Sequence, residues 1–89
     1  MLDIKQVIDR IKKLGYKLIE NECNYIFKNN NIYVTLEFMV VAYKNIYFVK
    51  QYFDEICDNN ICLYYMLSSN EDLDNFIWKL ENITIINNK

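Results

Sequence analysis

Asp54, Glu55 and Asp58 form a compact group of carboxylates in a chain that contains no histidine. Paired carboxylates act as general acid and base when burial raises the pKa of one of them. These three are expected near the surface of a predicted helix, where burial does not raise the pKa of a carboxylate. The absence of histidine also removes the commonest general base and every Ser-His-Asp arrangement. We therefore predict that the protein is not an enzyme and has no catalytic residue.

The three acids also fit a second role, as contacts for a partner protein. They fall in the last turn of a helix predicted over residues 45–58, where the negative end of the helix dipole disfavours carboxylates. Residues 54–89 contain seven acids against two lysines, whereas residues 1–17 contain five basic residues against two acids. The acids are either a solvated helix face or contacts for a protein with a basic surface.

Tyr47 and Trp78 are aromatic residues at positions where their predicted helices are otherwise polar. On a helical wheel Trp78 lies about 140° from Leu73, outside the apolar stripe of its helix and beside Asp74. Each aromatic residue either packs within the monomer or contacts a partner, and such residues dominate interfaces because they bury a large area. The predicted partner-binding surface consists of Tyr47, Asp54, Glu55, Asp58, Asp74 and Trp78.

The three cysteines, Cys23, Cys57 and Cys62, favour reduced thiols in the cytoplasm over disulfides. Their number is odd and no two of them form a C-x-x-C motif. Three thiolates without an imidazole make a poor zinc site, so we expect no metal and no cofactor. Residues 1–15 carry six charges, which argues against a secretory signal, and no uncharged stretch approaches the roughly 20 residues that span a bilayer.

Nucleic acid is a less favoured partner. The basic first helix could meet phosphates, and Tyr25, Tyr33 and Tyr43 could stack on the bases of a single strand. Against this, the chain has a formal net charge of −2, one arginine and no recognisable nucleic-acid motif. Ordinary cross-strand packing explains the same tyrosines.

The first helix is marked at both ends. Asp3 is its N-cap, Gln6 is the reciprocal capping residue and Gly15 supplies the left-handed stop. Its apolar residues fall within a sector of about 120° that excludes every charge and is expected to face the core. They are Ile4, Val7, Ile8, Ile11 and Leu14.

Short β-branched and aromatic runs follow, separated by turns that are rich in asparagine. Strands are predicted over residues 16–23, 25–28, 32–42, 61–67 and 83–86. In the third run Ile32, Val34, Leu36 and Phe38 alternate with polar or amphipathic residues, which indicates one face that packs under the helices.

Two further helices are predicted. Residues 45–58 place their apolar side chains in one half of a helical wheel and show no strand alternation. The last helix begins at Ser68, Ser69 or Asn70, with acids in its positive first turn. Its apolar stripe consists of Leu73, Phe76, Ile77 and Leu80.

These elements predict one α+β domain over residues 1–89, in the order α-β-β-β-α-β-α-β. Three helices pack on one face of an antiparallel-rich sheet, which makes a two-layer structure. The composition resembles that of accessory proteins of phages and other mobile elements. The size and the helix, three-strand, helix order are similar to those of some anti-CRISPR inhibitors.

That resemblance implies a non-enzymatic cytoplasmic inhibitor that occludes a protein complex of a host cell. The alternative is a self-associating accessory subunit, in which Trp78 or the tyrosine-rich sheet is buried in a homodimer interface. Weak binding of single-stranded nucleic acid is the third hypothesis.

Overall fold

A computed structural model describes residues 2–20, 24–53 and 63–87. The fold is α+β, as predicted, and the described chain contains a five-stranded antiparallel sheet and two helices. The elements in chain order are α1 (Ile4–Lys13), β1 (Lys17–Glu20), β2 (Tyr25–Asn29), β3 (Ile32–Val41), β4 (Lys44–Phe53), β5 (Leu63–Leu67) and α2 (Asn70–Asn87).

The sheet is a meander in which each strand pairs with its neighbour along the chain. Alternate side chains of the strands, such as Phe27, Val34 and Leu67, join Val7 of α1 and Phe76 of α2 in a single buried core. Both helices therefore cover the same face of the sheet, which we call the inner face. Within the described ranges no helix or strand packs on the opposite face, which we call the outer face.

The predicted ends of α1 are confirmed. The Asp3 side chain accepts a hydrogen bond from the Gln6 backbone N–H at 3.0 Å, and Gln6 Oε1 accepts one from the Asp3 backbone N–H at 3.1 Å. Gly15 has a φ of +94°, a conformation that glycine adopts without a steric penalty. A Cβ at this position would approach Asn29 Nδ2 to 3.2 Å. Glycine therefore also lets the chain after α1 lie close to Asn29, the last residue of β2.

The alternation predicted for the third run is confirmed over most of β3. Ile32, Val34 and Leu36 are fully buried on the inner face. Phe38 continues the alternation, but half of its side chain is exposed. The register explains this change, because pairing with β2 ends at Leu36 while β3 continues with β4 alone to Val41.

The helix predicted over residues 45–58 is wrong for its described part, where the chain forms β4. Ten residues of β4 pair with β3 in unbroken antiparallel register. The two strands meet at a two-residue loop, Ala42 and Tyr43, in which both residues have positive φ, the geometry of a tight hairpin turn. Apolar residues lie on both faces of β4. The strand therefore lacks the usual alternation of apolar and polar residues, and its apolar residues fall in one half of a helical wheel. Residues 54–58 lie outside the described chain.

The strand predicted over residues 83–86 is also wrong, because α2 continues to Asn87. The run of β-branched residues favours a strand locally, but tertiary contacts override that preference. Thr84 is buried and its hydroxyl lies 2.8 Å from the Tyr16 hydroxyl. The final strand-helix-strand unit is therefore absent from the described fold. The observed order is one helix, five strands and one helix. It differs from the helix, three-strand, helix order on which the similarity to anti-CRISPR inhibitors rested.

The start of α2 follows the prediction. Ser69 Oγ accepts a hydrogen bond from the Asp72 backbone N–H at 3.2 Å, as an N-cap side chain does. The Asp72 carboxylate accepts bonds from the backbone N–H and the hydroxyl of Ser68, and these bonds lower the pKa of Asp72 below its usual value.

Candidate protein-binding surfaces

Of the predicted partner-binding residues that the structure describes, Asp74 and Trp78 lie on α2, whereas Tyr47 lies on β4. Tyr47 points to the inner face and is only 1% exposed. Its hydroxyl donates a hydrogen bond to the Leu2 carbonyl oxygen at 3.2 Å, which ties β4 to the start of α1. Burial, followed by the nearby charge of Asp3, raises the pKa of Tyr47. The expected position on a polar helix side was wrong because the residue lies in a strand.

The acidic members of the predicted surface are only partly described. Asp74 lies on α2, and its carboxylate is bound by Arg10 of α1 at 2.8 Å. Both side chains are partly exposed, so this pair contributes little stability but occupies the Asp74 carboxylate. Asp54, Glu55 and Asp58 lie outside the described residues, and their role stays a prediction.

Trp78 is exposed, in agreement with its position on the helical wheel. Its side chain is 67% exposed on the side of α2 that faces away from Phe76 and Leu80. About two turns further along, Ile85 and Ile86 are also exposed. We call Trp78, Ile85 and Ile86 the α2 stripe. No charged residue belongs to it, although Lys79 and Glu81 lie beside it on the helix.

A shallow apolar groove lies beside the α2 stripe, between α2 and the edge strand β5. Leu63 and Tyr65 line it from the strand, and Trp78, Ile83 and Ile86 line it from the helix. The Tyr65 ring also packs against Phe76, with ring centroids 4.9 Å apart, and burial raises the pKa of Tyr65.

The outer face carries a second set of exposed apolar side chains that sequence reasoning missed. Phe48 stands between Glu37 of β3 and Met66 of β5 in the cross-strand register. The adjacent row pairs Met39 with Ile46. Phe48 is 37% exposed and Met66 is 59% exposed. We define the outer patch as Met39, Val41, Ile46, Phe48, Tyr64 and Met66.

Two tyrosines and two lysines form a closed stack at the other end of the outer face. The Tyr33 and Tyr52 rings are parallel within 9°, with centroids 5.2 Å apart. Lys28 Nζ lies 5.3 Å from the Tyr33 ring and Lys50 Nζ lies 5.2 Å from the Tyr52 ring. Cation–π contact thus covers ring faces on which nucleic-acid bases would otherwise stack.

The three tyrosines considered for nucleic-acid binding do not share a platform. Tyr25 packs partly buried against the core on the inner face, whereas Tyr33 belongs to the closed stack on the outer face. Tyr43 lies at the hairpin tip and is almost fully exposed. Stacking of successive bases requires neighbouring rings, and this arrangement does not supply them.

The outer face is basic although the chain as a whole is acidic. The cross-strand register places four lysines and two glutamates on it. These residues are Lys17, Lys28, Lys44, Lys50, Glu20 and Glu37. No single segment of the sequence shows this distribution, because the four lysines come from three strands, β1, β2 and β4, that only the sheet brings together.

The described residues contain no cluster of three carboxylates or other ligands that could hold a metal ion. The three cysteines lie outside these residues. Within the same ranges, neither helix has the length and apolar character that would be needed to cross a bilayer.

Comparison of the chain with models of protein families, with curated proteins and with solved structures gave no match.

Proposed function

We propose that the protein is a small binding module that acts by covering a surface of another protein, without catalysis. The outer patch is the observation that supports this function. A solvated face of an antiparallel sheet normally carries polar side chains, whereas here apolar side chains stand next to one another across three strands. Contiguous exposed apolar surface of this kind marks interaction sites.

The geometry of the patch suits an interface centre. Phe48 and Met66 are neighbours in the register, and the sheet holds their backbones rigidly. Full burial of a phenylalanine or methionine side chain contributes about 1.5–3 kcal/mol. Phe48 and Met66 are 37% and 59% exposed, so a partner that covers both gains roughly one such contribution in total, which is enough to make them main contacts of the interface. Binding would act by occlusion, as expected for an inhibitor.

Truncation of the patch is expected to abolish this binding. The variant carries Phe48→Ala and Met66→Ala, and it is compared with the parent as bait in lysate of the source cells. We expect at least one protein to be captured by the parent and reduced tenfold or more with the variant, since each 1.4 kcal/mol changes affinity tenfold.

Trp78→Ala is the matched control, because it removes an exposed aromatic side chain from the other side of the molecule. Circular dichroism and thermal unfolding of all three baits verify that the fold is retained. Quantitative mass spectrometry that finds the same captured proteins with the parent and the patch variant would contradict the proposal.

Self-association is a second candidate function, and the α2 stripe favours it. The stripe itself is free of charge, so two copies related by a two-fold axis could pack their stripes together without facing like charges at its centre. The stripe and the adjacent groove together provide apolar surface on both sides of Trp78.

For this second function we expect the parent to be a dimer at tens of micromolar by light scattering after size exclusion. Trp78→Ala combined with Ile85→Asp is expected to give a monomer, because it removes the largest side chain and introduces a charge. The Phe48→Ala variant should remain dimeric. A parent that is monomeric under these conditions removes the second function.

A further inference from the structure

We propose that the segment that binds the outer patch is an amphipathic α-helix with acidic residues at both ends of its apolar stripe. This inference rests on the proposed function and specifies its partner. It depends on three features of the outer face: its paired backbone, its apolar centre and the positions of its lysines.

The paired backbone favours a helix over an extended strand. The patch lies on β3, β4 and β5, and β4 is hydrogen-bonded on both sides over the residues that carry Phe48. Over Phe48 this surface offers a partner side chains but no free N–H or C=O groups, which occur only at its margins, on β5 and on β3 beyond Leu36. A segment that lies on it must satisfy its own backbone, and an α-helix does so within the segment. A helix on the outer face would also complete a helix-sheet-helix sandwich.

The lysines define the expected charge of that helix. On the outer side of β4 the residues read Lys44, Ile46, Phe48 and Lys50, so two apolar side chains stand between two cations. At about 3.4 Å per residue the Cα atoms of Lys44 and Lys50 are roughly 20 Å apart. An α-helix covers this span in about 13 residues. Carboxylates separated by this length, with apolar residues between them, would meet the lysines and the patch together.

The other occupants fit less well. A second copy of the outer face would bring four lysines against four lysines, which costs free energy. A single-stranded nucleic acid would meet the lysines, but the faces of Tyr33 and Tyr52 are already covered by each other and by Lys28 and Lys50. A phosphate backbone would also provide no apolar contact for the exposed side chains of Phe48 and Met66.

The test uses the full chain and three fluorescent synthetic probes. The first is an acidic helical peptide with leucines at positions i, i+4 and i+7 between two glutamate pairs about 13 residues apart. The second has lysines in place of the glutamates, and the third is a single-stranded oligonucleotide. Binding is measured by fluorescence anisotropy at low and high salt. We expect the acidic peptide to bind at least tenfold more tightly than the lysine peptide, and salt to weaken this binding.

Charge reversal at the two lysines provides the second part of the test. Lys44→Glu with Lys50→Glu is expected to weaken binding of the acidic peptide at least tenfold and to strengthen binding of the lysine peptide. Lys44→Gln alone gives a milder change if the reversed variant does not fold. Lys79→Glu is the control, because Lys79 lies on α2 beside the groove, and it should leave both affinities unchanged.

Equal binding of the two peptides, binding of neither, or preferential binding of the oligonucleotide would overturn the inference. The capture experiment with Phe48→Ala and Met66→Ala is independent of these outcomes. If that variant loses a captured protein but the charge-reversed variant retains it, the binding function stands and the acidic helix is wrong. If the patch variant loses nothing, the proposed function itself fails.

Discussion

Tyr47→Ala is expected to lower the free energy of unfolding by about 3–5 kcal/mol, whereas Phe48→Ala lowers it by about 1 kcal/mol or less. The two residues are adjacent in β4 and point to opposite faces of the sheet. Tyr47 is buried against α1 and loses its bond to the Leu2 carbonyl oxygen when it is truncated. Phe48 faces solvent with one cross-strand neighbour on each side, and its truncation leaves no cavity.

Urea unfolding followed by far-ultraviolet circular dichroism measures both changes. A helix over residues 45–58 would reverse their order, since Phe48 would face the core and Tyr47 the solvent. A larger loss for Phe48→Ala than for Tyr47→Ala would therefore contradict the strand and the outer patch with it. Tyr47→Phe separates the two contributions, because it removes only the hydrogen bond, worth about 1 kcal/mol.

Phe76→Ala is expected to cost about 3–5 kcal/mol, whereas Trp78→Ala changes the stability by about 0.5 kcal/mol or less. Phe76 is 1% exposed and its ring packs against Tyr65 of β5. Trp78 lies two residues further along α2 and is exposed. A chain of this length has a total stability of about 4–13 kcal/mol, so the first substitution removes a large fraction of it.

Thermal unfolding measures the stability of the Phe76→Ala and Trp78→Ala variants, and the fluorescence of the single tryptophan measures the exposure of its indole. In the parent we expect an emission maximum typical of a solvated indole and easy quenching by iodide. A Trp78→Ala variant that is as unstable as Phe76→Ala would show that the indole packs within the monomer. The α2 stripe would then lose its central residue, and self-association through it would no longer be supported.

Local signals in the sequence predict the parts of the fold whose causes are local. The capping residues Asp3 and Gln6 and the stop at Gly15 define α1 without reference to any other element. The alternation in β3 predicts its inner face as far as Leu36. The angle of Trp78 on the helical wheel places it outside the apolar stripe of α2, and its 67% exposure decides between the two alternatives that the sequence leaves open.

Other parts depend on contacts that no local pattern records. β4 has apolar residues on both faces because one face meets the helices and the other forms the outer patch, so its periodicity imitates a helix. The β-branched end of α2 is held helical by packing and by the contact of Thr84 with Tyr16. The outer patch requires the register of three strands, which is why no local pattern singles out Phe48 or Met66 as an interface residue.

The consecutive order of the strands has a consequence for how the chain folds. Every strand pair joins neighbours along the chain, so closing each hairpin costs little loop entropy, and the sheet can grow outward from the β3–β4 hairpin. The contacts that α2 makes with the start of the chain require the finished sheet, since Arg10 meets Asp74 across 64 positions of sequence and Tyr16 meets Thr84 across 68. We expect rapid folding, with the junction of the helices forming last and loosening first.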